Sequence, residues 1–158
     1  HATSGGLNTY EPFDGPAGIK GMHGYRTAVR DGRLDDGAAD FPRIRRFFDE
    51  AKLTLVRMEP NDAMAGNDGH AVKVIAGEKA IIAYLQNPDS RTPETANVAE
   101  TMATCRLHLP PGGWRIRWYD PRTGRWHAAP ERQEISGGYT RDFQSPFPGD
   151  AVLLLNLP

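Results

Sequence analysis

Gly113-Trp114-Arg115-Ile116-Arg117-Trp118-Tyr119-Asp120-Pro121-Arg122-Thr123-Gly124 is the stretch whose reading decides the fold. Trp114, Ile116 and Trp118 alternate with Arg115, Arg117 and Tyr119, the period of a strand with one face in a core. Pro directly after Asp, with Gly closing the segment, favours a type I turn at Asp120–Gly124. The chain must therefore reverse, and Arg125 to Ala128 is expected to return alongside as a partner strand.

The same alternation extends outward in both directions. Cys105, Leu107 and Leu109 alternate with Arg106 and His108, one set facing a core and the other solvent, before Pro110-Pro111-Gly112-Gly113 turns the chain. Ala71 to Ala76 and Ala80 to Leu85 are β-rich runs joined by Gly77-Glu78-Lys79, which reads as a hairpin. Asn87 to about Asn97, with Pro88 and Pro93, reads as a loop. Gln133 to Ser136, Tyr139 to Phe143 and Ala151 to Leu157 are further strands, the last so apolar that it is expected at the centre of a sheet, covered on both faces. Seven or eight short strands in about 90 residues predict an antiparallel β-sandwich, with an up-and-down barrel as the alternative.

Upstream the period changes. Phe41, Ile44, Phe47, Phe48 and Ala51 recur at helical spacing, so the sequence predicts an amphipathic helix from an Asp40 N-cap to about Lys52, with Pro42 tolerated in its first turn. Leu53, Leu55, Val56 and Met58 form an apolar connector ended by Pro60, and Asn61-Asp62 and Gly66-Asn67-Asp68-Gly69 read as loop and turn. Residues 1–39, rich in Gly and without a sustained period, are expected to be irregular. The expected organisation is mainly β: residues 1–65, an irregular segment plus helix, then residues 66–158, the sandwich.

Composition sets outer bounds. The 17 Gly and 13 Pro among 158 residues exclude a helical bundle, while 39% hydrophobic and 25% charged residues are ordinary for a folded chain. Nineteen Lys and Arg against 20 Asp and Glu leave a net charge of −1. No basic patch marks a nucleic-acid or anionic-membrane partner, since Arg43, Arg45 and Arg46 lie in a mixed-charge helix. No run approaches the roughly 20 apolar residues of a membrane span. The polar opening from His1 has no signal-peptide pattern, and a chain starting at His is expected to be processed, truncated or numbered from a mature end. Cys105 is the only cysteine and is expected to be a buried hydrophobe.

The decisive stretch, continued through Arg125 and followed by Phe143-Gln144-Ser145-Pro146 and Gly149-Asp150-Ala151-Val152-Leu153-Leu154-Leu155, resembles a known module. It is similar to the C-terminal β-sandwich of secreted TIM-barrel glycoside hydrolases, including the type labelled a collagen-binding domain of a collagenase. There a tryptophan-rich strand, a YDPRTG turn, a segment with spaced Phe, Pro and Asp, and a final apolar strand recur. The resemblance covers roughly residues 70–158. It implies a non-catalytic accessory domain that braces a catalytic barrel, a secreted, cell-surface or periplasmic location, and polysaccharide as a further partner. By the same likeness the helix and Met58-Glu59-Pro60-Asn61-Asp62 are the end of a barrel whose other strands are absent, since a (β/α)₈ barrel needs about 250 residues. The alternative is a fragment or subunit lending active-site loops to a glycoside hydrolase.

Glycoside hydrolysis needs two carboxyl groups across the scissile bond. Glu11, in Thr9-Tyr10-Glu11-Pro12-Phe13, is the weak catalytic candidate, and Asp14, Asp31, Asp35, Asp36, Glu59 and Asp62 cannot be paired from sequence. Flat aromatic rings suit sugars. Trp114 and Trp118 share the core parity of Ile116, which leaves Tyr119, Trp126 and Tyr139 as the candidate ligand-binding residues, with Tyr119 and Trp126 expected to be exposed beside the turn. Arg115 and Arg117 are expected to pair with Glu131, Glu134 or Asp142. A remote alternative is a copper histidine brace formed by His1 with His23, His70, His108 or His127, although no pair has a fixed ligand spacing. Otherwise no metal or cofactor is expected.

Overall fold

The computed structural model describes residues 40–66, 71–90, 98–128 and 134–158. The irregular segment expected over residues 1–39 lies outside the described residues. Among the described residues one α-helix, α1 (Asp40–Ala51), precedes nine strands: β1 (Glu59–Pro60), β2 (Val72–Ala76), β3 (Ala80–Leu85), β4 (Met102–His108), β5 (Gly113–Asp120), β6 (Arg125–Ala128), β7 (Glu134–Ser136), β8 (Thr140–Pro148) and β9 (Ala151–Asn156). A short 3-10 turn, Asp62–Ala65, links β1 to β2. No helix among the described residues is long and apolar enough to cross a membrane.

The helix ends in a Schellman arrangement. Lys52 takes a left-handed backbone (φ 55°) where Gly is usual, and the Leu53 and Lys52 N–H groups return to the carbonyls of Phe48 at 3.1 Å and Asp49 at 3.3 Å. Arg45–Asp49 and Arg46–Glu50 pair at i,i+4 spacing on its exposed side, contacts that stabilise it by a few tenths of a kcal/mol each.

The strands form an antiparallel sandwich of unequal sheets. The large sheet runs β1-β2-β3-β9-β5-β6, and β7 pairs with the first part of β5, at Gly113–Arg115, ahead of the β6 pairing at Arg117–Asp120. Strand β9 lies between β3 and β5 and is buried from Ala151 to Leu155, as its apolar run requires. Among the described residues the second sheet is a ribbon of β4 and β8, in register from Thr104↔Gln144 to His108↔Thr140. The turn after β5 is held by Asp120, whose buried carboxylate accepts from the Arg122 N–H at 2.9 Å and the Thr123 hydroxyl at 2.9 Å. Gly124 closes it with φ 69° and an N–H to the Asp120 carbonyl at 2.8 Å.

Two cores follow from the alternation of side chains. One face of the large sheet, with Val74, Ile81, Trp114, Trp118 and Leu153, packs on Cys105, Leu107 and Phe143 of the ribbon. The opposite face, with Ile75, Ile82, Tyr119, Val152 and Leu154, packs on Phe47 of α1. The described residues therefore form three layers: helix, large sheet and ribbon.

Candidate functional site

Strands β5 and β6 set Tyr119 opposite Trp126, both on the face that α1 covers. Phe47 reaches both rings with centroids 5.2 Å away, stacked on Trp126 and edge-on to Tyr119. The Tyr119 hydroxyl donates to the Arg43 carbonyl at 2.7 Å, and Trp126 Nε1 donates to the Glu50 carboxylate at 2.6 Å. The Arg117 guanidinium lies 3.7 Å over the Trp126 ring. Tyr119 is consequently only 2% exposed, and burial pushes its phenol pKa up. The expected exposure of Tyr119 is thus corrected: strand alternation assigns it to the solvent face, and that face is roofed by a helix. Trp126 is half-buried, and its ring is engaged by Phe47, Tyr119 and Arg117.

Tyr139 is different, being 45% exposed. The Arg141 guanidinium sits 4.7 Å over its ring and donates to its hydroxyl. Of the three aromatic candidates it alone presents a large free surface. Glu11 lies outside the described residues, as do Asp14, Asp31, Asp35, Asp36 and Glu131.

Three of the described loop carboxylates, Asp62, Asp89 and Asp150, hold backbone. Asp62 accepts from the Val74 N–H at 2.8 Å and Lys73 Nζ at 2.9 Å, contacts that hold its carboxyl below the usual range. Asp89 accepts from the N–H groups of Glu100 and Thr101, both at 2.8 Å. Asp150 accepts from the Asn87 N–H at 2.8 Å and the Tyr84 hydroxyl at 2.9 Å. Burial, with the Asp150 charge second, raises the Tyr84 pKa well above its ordinary 10. A raised phenol pKa stabilises the fold while the phenol is protonated, and the gain is lost as pH rises above 10, where the unfolded chain releases a proton the folded chain keeps. Urea midpoints at about pH 8 and 10.5 are expected to fall more steeply for the wild type than for Tyr84→Phe. That variant should start roughly 1 kcal/mol lower for want of the hydrogen bond. Equal slopes would remove Tyr84 from the alkaline transition.

Charged partners across strands match the sequence expectation in one case. Arg115 meets Glu134 at 3.5 Å, whereas Arg117 turns to Trp126 and Asp142 belongs to Arg106. That last pair is bidentate, at 2.6 and 3.0 Å, and raises the Arg106 pKa while lowering that of Asp142. It stands in the middle of the outward ribbon face, between Thr104 beside Gln144 and His108, whose Nδ1 is 3.3 Å from the Thr140 hydroxyl. A broad open cleft is lined by these side chains together with Met64, Gly66 and Met102. This face was legible only as exposed positions on β4. The signal that completes it is the matching polar parity of Thr140, Asp142 and Gln144.

The His127 ring packs on Phe147 at 4.6 Å, and His108 belongs to the ribbon face. His1, His23 and His70 lie outside the described residues. Among the described residues no group of three or more His, Cys, Asp or Glu could hold a metal ion.

No protein-family model matches the sequence, and no curated protein is significantly similar to it. Solved structures are similar in fold. A protein titled glycoside hydrolase aligns over 92% of this chain at 13% identity and a TM-score of 0.58, using 30% of its own length. A glycoside hydrolase family 5 protein from Bacteroides vulgatus aligns over 91% at 14% identity and a TM-score of 0.59, using 29% of its length. The chain thus spans about 30% of these neighbours, and the likeness is one of fold.

Proposed function

We propose that this chain is the accessory end of a secreted glycoside hydrolase-type protein: residues 66–158 brace a catalytic barrel, and residues 1–65, with α1, are where that barrel ends. The observation that carries this reading is the extent of the structural likeness. An alignment over 92% of the chain is more than residues 66–158 could supply by themselves, so the likeness includes more than the sandwich, yet it uses only 30% of the neighbour. The packing of α1 supports it further, because Phe47, Tyr119 and Trp126 join helix and sheet through one aromatic cluster, a rigid seam suited to holding a domain in place.

The test is genetic and enzymatic. The reading frame upstream of His1 is expected to encode about 250 residues with alternating strand and helix patterns. The extended product should release reducing sugar from a polysaccharide, and residues 1–158 alone should not. A stop codon directly upstream, with no barrel protein co-purifying from the source, would refute the reading.

A further inference from the structure

We infer that the outward face of the β4–β8 ribbon binds a neutral polysaccharide chain, an inference that rests on the accessory reading above. Three cross-strand pairs lie side by side on this face, Thr104↔Gln144, Arg106↔Asp142 and His108↔Thr140, and all six side chains are exposed. Same-face positions along a strand recur roughly every 7 Å and neighbouring strands lie about 4.8 Å apart, so the pairs form a grid of hydrogen-bonding groups. The grid is ordered in advance, since Arg106 and Asp142 lock each other at 2.6 and 3.0 Å and His108 meets Thr140 at 3.3 Å. Groups already held in place lose less freedom on binding.

Charge selects the occupant. The one cation and the one anion of the grid neutralise each other, and the other cation lining the cleft, Arg141, is turned onto the Tyr139 ring, so the grid itself offers neither a nucleic acid nor an acidic glycan a complementary field. None of the six side chains is aliphatic or aromatic carbocyclic, which excludes an apolar protein partner of the usual kind. A neutral polyol matches what remains, with unused lone pairs on Asp142, Gln144 and the threonines to accept hydroxyl protons and the outer Arg106 N–H groups to donate. Met102, 43% exposed at the edge of the face, supplies apolar contact for sugar C–H groups. Layer order makes the two roles compatible: the large sheet separates this face from α1, so a barrel attached at the helix leaves it open.

Affinity electrophoresis of the 158-residue chain in gels containing galactomannan, xyloglucan, mixed-linkage glucan or, as a charge control, polygalacturonate tests the assignment. At least one neutral gel should retard the wild type, and polygalacturonate should not. Arg106→Ala/Asp142→Ala should weaken that retardation tenfold or more, as should His108→Ala/Gln144→Ala, with tryptophan-fluorescence melts confirming that both variants fold. No retardation in any neutral gel, retardation only by polygalacturonate, or retardation undiminished in both folded variants would overturn the surface. Such a result leaves the accessory reading to its own test, whereas an absent upstream barrel would refute that reading whatever the gels show.

Discussion

Gly137→Ala is expected to cost about 3 kcal/mol or more, the upper end of what overpacking produces, and to lower the melting temperature by roughly 6–12 °C. A Cβ on Gly137 would stand 1.9 Å from the Pro110 carbonyl oxygen and 2.7 Å from Trp114 Nε1. Neither obstacle is a flexible side-chain end. The Pro110 oxygen is backbone and already accepts from Trp114 Nε1 at 3.0 Å. Gly137 itself donates to the Gly112 carbonyl at 2.7 Å, while Gly138 donates to Leu109 at 2.9 Å. Moving the obstruction would therefore strip a buried tryptophan of its hydrogen-bond partner and pull β7 from β5. Gly113→Ala is the comparison, because a Cβ there meets nothing within 4 Å, and its effect should stay within about 0.5 kcal/mol. Equal urea midpoints for the two variants would show that the close approach does not exist in solution.

Phe47→Ala should be of similar size, about 3–4 kcal/mol. Its ring is 5% exposed and contacts Phe48, Tyr119 and Trp126. Its loss leaves a cavity between α1 and the large sheet and weakens the platform that orders the Tyr119 and Trp126 hydrogen bonds to the helix. The expected readouts are a lower denaturation midpoint, a red shift of tryptophan emission and faster trypsin cleavage at Arg45 and Arg46. Val56→Ala, at a site 73% exposed, should change none of these. A loss under about 1 kcal/mol with unchanged emission would mean that α1 is not integral to the fold.

Much of the architecture was legible because alternation reports burial directly. Trp114, Ile116, Trp118, Cys105, Leu107 and Leu109 all face the inter-sheet core as their parity demands, and α1 spans the residues its apolar period marks. What alternation cannot report is a third layer. It assigns every second residue to solvent, so Tyr119 reads as exposed although α1 roofs it. Non-local pairing is equally invisible: Arg106 finds Asp142 across 36 positions because β8 returns beside β4, and nothing near either residue in sequence announces it. The roles of the loop aspartates were not legible either. Asp62, Asp89 and Asp150 each anchor a backbone N–H, a role set by loop geometry rather than by residue type. The ribbon face was hidden by the same non-locality, since half of it was visible on β4 and the other half needed the register of β8.

Strand β9 is synthesised after the other described strands yet occupies the seam between β3 and β5. Until residue 156 has left the ribosome, the hairpin of β2 and β3 and the group built on β5 have no strand to join them. Translation at about 5–20 residues per second thus makes the nascent chain wait several seconds with Ile82, Trp118 and their neighbours uncovered. The large sheet then closes in a single late step. Anything translated ahead of α1 has that interval in which to fold first, and chaperone demand should peak as β9 emerges.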